Sequence, residues 1–196
     1  MDISPVTLEG DAIRLEPLSI EAHLGDLQAA GSDPEIFRWF SRDWSAPEAM
    51  GAFIEEALAM QVDGTAVPFA TVLQETDEAI GSTRFGAIAP EHRRVEIGWT
   101  WLTPDHQRTA ANTEAKFLML RHAFEEWDCL RVELKTDSRN DQSRRAIERI
   151  GATEEGILRK HMQSHQGTRD TVYYSIIDEE WPAVKRNLEG MLDWAE

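Results

Sequence analysis

Arg93-Arg94-Val95-Glu96-Ile97-Gly98-Trp99-Thr100-Trp101-Leu102, followed by Thr103-Pro104, a short polar loop and Asn112-Thr113-Glu114-Ala115-Lys116, is the stretch on which the fold turns. Its first ten residues are rich in β-branched and aromatic side chains and read as a strand. Downstream, Phe117, Leu120, Phe124 and Trp127 recur at +3, +4 and +3, which predicts a helix over residues 112–127 with Glu114, Lys116, Arg121 and Glu125 on its other face. Residues 131–136 read as a second strand, so this region is a strand-helix-strand crossover. Upstream, residues 67–74 and 80–88 are strand-like and separated by short polar connections, which predicts an antiparallel meander ending in residues 93–102.

The flanks complete the pattern. Residues 8–18 read as an opening strand, Ser19 caps a helix that stops at Gly31, and Asp33-Pro34 precedes a short aromatic helix over 35–40. Ser45 and Glu48 have capping-box spacing ahead of a helix in which Met50, Phe53, Ile54, Ala57 and Leu58 form one stripe. Asn140 or Asp141 caps a helix that ends at Gly151, residues 156–162 and 168–177 form a hairpin, and Trp181, Val184 and Leu188 mark a last helix. No linker or repeat divides the chain, so residues 1–196 read as one α+β domain with helices on both faces of a mixed sheet.

The chain has 196 residues, 41% hydrophobic and 29% charged, and 20 Lys+Arg against 36 Asp+Glu give a net charge of −16. That charge repels phosphate backbones and anionic lipid, argues against nucleic-acid and membrane partners, and favours an amine-bearing one. The only cysteine, Cys129, forms no internal disulfide, and no signal peptide or spanning segment is evident, so a cytoplasmic location is expected. His161 and His165 have zinc-like spacing but lie on the hairpin with no third ligand, so no metal is expected. Surface tryptophans on a 22.3 kDa chain leave a homodimer open.

Chemistry concentrates in Gln107-Arg108-Thr109-Ala110-Ala111-Asn112, where small residues, backbone N–H groups and a helix start describe an anion cradle with Arg108 as an added donor. An ordinary strand-to-helix connection capped by Asn112 reads the same segment equally simply. The order of Glu96-Ile97-Gly98-Trp99, Thr103-Pro104, Asn112-Thr113-Glu114-Ala115-Lys116, Asn140-x-x-Ser143, Gly151-Ala152 with Glu155-Gly156, and Arg169-Asp170-Thr171 resembles the RimJ/RimL-like branch of the GNAT N-acetyltransferases. The resemblance spans residues 8–181. It implies a three-layer fold on a mostly antiparallel sheet of about seven strands, and acyl transfer from acetyl-CoA to a primary amine.

By that resemblance, the Gln107–Asn112 loop with Thr113 holds the pyrophosphate of the donor, although Ala110 stands where glycine is usual. The main chain of Trp99, Thr100, Trp101 and Leu102 runs beside the pantetheine arm, and an amide near Trp99 or Thr100 polarises the thioester. The strand over 131–136 splays away to admit the thioester; Asn140 binds the pantetheine chain and Ser143 protonates the leaving thiolate. Glu96, placed by alternation opposite Ile97 and Trp99, is the candidate base, or else it pairs with Arg84 or Arg94. Trp39, Phe40 and Trp44 are substrate-cleft candidates, with Phe85 facing them from the meander, although packing explains aromatics equally. The acceptor is a protein N-terminal amine or a small cationic amine. Two alternatives stand beside this reading: a GNAT-fold acyl-CoA-sensing or partner-binding module weakened by Ala110, and a succinyl-CoA-type acyltransferase.

Overall fold

The structure, a computed structural model, describes residues 1–192. Eight strands form one sheet: β1 (Leu8–Glu9), β2 (Ile13–Pro17), β3 (Val67–Leu73), β4 (Ala79–Ala89), β5 (Arg94–Leu102), β6 (Arg131–Asp137), β7 (Thr153–Ser164) and β8 (Gly167–Ile177). Their order is β1-β2-β3-β4-β5-β6-β8-β7, and every pairing is antiparallel except β5 with β6. The helices are α1 (Ile20–Ala30), α2 (Pro47–Val62), α3 (Ala110–Arg121), α4 (Asp141–Arg149) and α5 (Trp181–Leu192). No helix among the described residues is long and apolar enough to cross a membrane.

The eighth strand arises because the expected opening strand breaks at Gly10, where the chain turns and Gly10 N–H donates to the Ile13 carbonyl at 3.0 Å. A Cβ at Gly10 would lie 2.7 Å from the Glu114 carboxyl carbon, so the turn needs glycine. The next three N–H groups, of Asp11, Ala12 and Ile13, donate to the Glu114 carboxylate at 2.6, 3.0 and 2.8 Å. Glu114 is therefore buried rather than on an outer face, and it ties α3 to the first hairpin.

Helix starts differ too. Ser19 caps α1 as expected, accepting from Ala22 N–H. The capping box ahead of α2 does not form, because Ser45 N–H donates instead to Asp43 and the helix opens one residue later at Ala46 with Pro47 in its first turn. The aromatic segment is a single 3-10 turn, Pro34–Phe37, capped by Asp33. Helix α3 begins at Ala110 with Thr109 as its cap, not Asn112, and continues past Arg121 as a π-helical turn, His122–Glu126.

Two apolar cores flank the sheet. On one face α3 and α5 cover Phe85, Val95, Ile97, Leu134 and Tyr174; on the other α1 and α2 cover Ala70, Val72 and Trp101 with Phe37 and Phe53. Burying such side chains contributes about 1.5–3 kcal/mol each. Helices α1 and α2 pack on the β3–β4 half of their face. The same face of β6 and β8 carries Glu133, Lys135, Asp137, Arg169, Thr171 and Tyr173, placed there by the register Glu96↔Glu133, Lys135↔Tyr173 and Asp137↔Thr171.

Candidate active site

The site is built from two irregularities of β5. Against β4, Arg84 pairs with Gly98 and Ser82 with Trp101, so Thr83 alone faces both Trp99 and Thr100. This is a β-bulge, which leaves one residue outside the ladder and re-aims its neighbours. Trp99 adopts φ +52°, a left-handed conformation rare for a bulky residue. Its ring lies over Gly86, where an added Cβ would come within 2.5 Å of it. Because Gly86 pairs with Glu96, the bulge brings Trp99 onto the Glu96 face. Strict alternation places it opposite, and the extra residue is the reason it is not there.

Against β6, the ladder runs only from Arg94↔Arg131 to Glu96↔Glu133. Beyond these three pairs the strands diverge. Glu96 sits at the vertex, 3% exposed, with its carboxylate 2.7 Å from Lys135 Nζ on β6. Burial pushes its pKa up, and the Lys135 ammonium pulls it partly back. Neither Arg84 nor Arg94 is its partner: Arg94 pairs with Glu133 at 2.9 Å. A Cβ at Gly98 would lie 2.8 Å from Glu96 Oε1, so glycine there leaves room for the carboxylate.

The far mouth of the gap is spanned by a hydrogen bond from Gln142 Nε2 to Gln107 Oε1 at 3.3 Å, and Gln107 Nε2 donates to the Leu102 carbonyl at 3.1 Å. Beside it, Arg108 takes φ +62°, whereas Ala110 is the first residue of α3 and has no positive φ. The left-handed turn of this loop thus falls on Arg108, and the methyl of Ala110 meets no backbone strain. Thr109 Oγ1 accepts from Ala111 N–H at 3.3 Å, while the N–H groups of Thr109 and Ala110 have no acceptor among the described residues. Unsatisfied N–H groups at a helix start, next to an exposed arginine, fit a phosphate-bearing ligand.

Across the mouth, Asn140 caps α4, its Oδ1 accepting from Ser143 N–H at 3.1 Å, and the Ser143 hydroxyl makes no side-chain hydrogen bond among the described residues. Asn112 lies in the first turn of α3 with Oδ1 buried and unpartnered among the described residues. Thr113 faces away from the mouth, its hydroxyl accepting from Arg149 at 2.7 Å. The side chains of Trp101 and Leu102 are packed in opposite cores, leaving only their main chain to the gap.

The aromatic candidates separate. Trp39 lies between the Arg38 and Arg139 guanidiniums, each 5.3 Å from its ring, and the Phe40 carbonyl faces His165 Nδ1 at 3.1 Å, where the β7–β8 turn meets the segment after α1. These two rim the Glu96 face. Trp44 is a core residue, packed edge-on against Phe53. Phe85 is fully buried in the other core, between Phe69 and Trp127, so it does not face them. His161 lies on β7 against Tyr173 and Thr171, and no cluster of three or more metal-ligating side chains occurs among the described residues.

Three site features escape the sequence. Lys135 is legible there only as the third polar member of the alternation Arg131, Glu133, Lys135. Lys116 is buried beneath the bulge, its Nζ 2.6 Å from Thr100 Oγ1 and 3.5 Å from Thr83 Oγ1, and burial pushes its pKa down to about 7. Arg84 is buried between the Phe53 and Trp99 rings, at 5.0 and 4.9 Å. No periodicity marks a buried cation.

A bulged strand diverging from a parallel neighbour, with a buried carboxylate at the vertex and a helix start at the mouth, defines an enzyme of the N-acetyltransferase class. Residues 12–153 match the family model of the acetyltransferase (GNAT) domain, and the chain belongs to that family. A putative acetyltransferase from T. thermophilus, solved by crystallography, is 42% identical, with coverage of 98% of this chain and 100% of that one and a TM-score of 0.88. YoaA of Bacillus subtilis (strain 168), an uncharacterized N-acetyltransferase, is 27% identical over 150 residues, 76% of this chain and 84% of YoaA. Mycobacterium smegmatis RimJ, solved in complex with CoA-disulfide, shares the fold at 21% identity and a TM-score of 0.78, covering 91% of this chain and 88% of RimJ.

Proposed function

We propose that the protein transfers the acetyl group of acetyl-CoA to a primary amine by direct attack in a ternary complex. The observation that carries this reading is the ladder ending at Glu96↔Glu133 with the Glu96 carboxylate buried at the vertex. The free N–H groups of the Arg108–Asn112 segment receive the donor's phosphates, with the Asn140 amide and the main chain of Trp99–Leu102 along its arm. RimJ, similar in fold, binds CoA-disulfide. A primary amine such as lysine, with a pKa near ~10.4, is almost wholly protonated at neutral pH and must lose a proton before it attacks. Glu96 accepts that proton at its carboxylate, and raised basicity from burial suits it to the task. As the C–N bond forms and the C–S bond breaks, an N–H of the bulge donates to the carbonyl oxygen and Ser143 supplies a proton to the thiolate, regaining it from solvent. The reaction belongs in the cytoplasm, where acyl-CoA is made.

Ala110 takes an ordinary helical conformation, so no left-handed strain argues for an impaired sensing module; obstruction of the phosphates by its methyl is the remaining ground for that alternative. Thermal unfolding with acetyl-CoA, succinyl-CoA or free CoA, paired with thiol release in the presence of amines, tests the reading. A native-state ligand at 100 times its Kd adds about 2.7 kcal/mol. Stabilisation with acetyl-CoA and thiol release lost in Glu96→Gln is the expected result; no stabilisation by any CoA refutes it, and a shift with succinyl-CoA alone reassigns the donor.

A further inference from the structure

The net charge of −16 points to a cationic acceptor, but the face of the sheet that holds Glu96 has the opposite local balance. Its carboxylates are already matched: Glu96 by Lys135 at 2.7 Å, Asp137 by Arg139 at 2.8 Å and Glu133 by Arg94 at 2.9 Å. Two guanidiniums on the same face, Arg84 and Arg169, form no ion pair with a carboxylate among the described residues. Arg169 is bound through its side chain only to Thr171 Oγ1, at 3.1 Å, among those residues.

Arg84 is the more telling. It is 2% exposed, its Nε is buried with no hydrogen-bond partner among the described residues, and its one side-chain hydrogen bond there is from Nη1 to the Met60 sulfur at 3.5 Å. Burial lowers its pKa only to about 10, so it keeps its charge. Stacking on two rings holds a guanidinium plane but satisfies none of its N–H groups; Glu56 acts on it only through space and is itself paired with Arg42 at 2.6 Å, and a buried cation without a contacting counter-ion is strongly disfavoured. The register states where this charge lies. Gly86 pairs with Glu96 and Arg84 with Gly98, so Arg84 and Glu96 are diagonal neighbours on one face, with Cα atoms about 7–8 Å apart. The residues opposite each of them, Gly98 and Gly86, carry no side chain, and the Trp99 ring lies between.

We propose that the acceptor is a small amine that also carries a carboxylate, an amino acid rather than a protein N-terminus or a polyamine, with the carboxylate received by Arg84 while the amine reaches Glu96. Arg84 is then a specificity residue, and Arg169, which Asp137 and Glu96 offset only through space, lies on the same face. This inference rests on the transferase reading for its chemistry, but its binding claim is tested separately from turnover.

The experiment uses the full chain with acetyl-CoA or CoA present. A panel of α-, β- and γ-amino acids and their carboxamides is scored by ligand-induced thermal stabilisation and by thiol release, in the wild type, Arg84→Met and Arg84→Lys. At least one amino acid is expected to exceed its amide by about 30-fold or more in affinity or kcat/KM, the size typical of truncating one partner of a buried charge pair. In Arg84→Met the acid-to-amide ratio falls to near one, and in Arg84→Lys, which keeps the charge without the planar edge, it is intermediate. Should Arg84→Met fail to fold, the lysine variant and the wild-type acid-to-amide ratio still decide. Amides that match or exceed their acids, stabilisation by none of the panel, or a ratio untouched by either substitution overturns the proposal. Stabilisation by acids alone without thiol release upholds the Arg84 site and refutes acetyl transfer.

Discussion

Replacing Lys116 with methionine is expected to stabilise the protein at neutral pH, although it removes a hydrogen bond. Lys116 is buried with no carboxylate partner among the described residues; its Nζ meets the Thr100 and Thr83 hydroxyls. The fall of its pKa from 10.5 to about 7 corresponds to about 4–5 kcal/mol at about 1.36 kcal/mol per pKa unit. In the unfolded chain the amine is protonated up to its ordinary pKa, whereas in the folded chain it is neutral above about 7. The unfolded state therefore binds more protons through this interval, and wild-type stability rises with pH by about 1.4 kcal/mol per unit from this group. Burial also pushes the Cys129 thiol up from 9.0 to about 11 by disfavouring the thiolate, which leaves stability untouched below the ordinary thiol pKa and lowers it only above. The clean window is therefore about pH 7 to 9. Losing the Thr100 hydrogen bond costs about 1 kcal/mol, and the two threonine hydroxyls keep each other at 2.8 Å. The net expectation is a Lys116→Met protein about 3 kcal/mol more stable near pH ~7, with the rise across that window abolished. Urea titrations at closely spaced pH steps read both quantities. Equal or lower stability of the variant at neutral pH, or a wild-type curve flat across the window, would refute the reasoning.

Lys135→Met removes the charge that holds Glu96 ionised, so the carboxyl pKa rises further and the acid limb of the pH–rate profile moves to higher pH; an unmoved limb in kcat/KM profiles excludes Glu96 as the base. Glu114→Ala leaves three N–H groups of the first hairpin without their acceptor and is expected to destabilise by about 2–4 kcal/mol, with a corresponding fall in Tm. Ala110→Gly is expected to leave CoA affinity unchanged by isothermal titration while destabilising the start of α3 by up to about 1 kcal/mol; a strongly tightened affinity would show that the methyl obstructs the phosphates.

Much of the architecture is legible in the sequence because it rests on periodicity. The stripe of Phe117, Leu120 and Phe124 and the short polar connections of the meander specify the order of strands and helices. Signals that fail do so for physical reasons. The capping box at Ser45 loses to a nearer acceptor, Asp43, and the cap of α3 falls on Thr109 rather than Asn112 because helix formation begins as soon as a side chain can satisfy its first N–H groups. Glu114 and Lys116 look like an outer face, yet both are buried, each satisfied by partners more than ten residues distant in the chain. At the site, Glu96 is found by its place on a strand, but its ion pair with Lys135 depends on how two strands diverge, and the return of Trp99 to the Glu96 face depends on a bulge. Neither is encoded in local pattern.

The parallel ladder that stops after three rungs has a consequence for recognition. From Ile97 onward β5, and from Leu134 onward β6, each has one side without a neighbouring strand, so the sheet contains two open hydrogen-bonding edges facing each other in its interior rather than at its margin. Open edges are templates for any extended chain of amides. A ligand with amide groups at peptide-like intervals, such as the proposed donor, would meet main-chain N–H and C=O groups there, which every residue but proline supplies alike. Side-chain exchanges along Thr100–Leu102 then alter packing more than recognition, and the residue these positions cannot accept is the one that lacks an N–H.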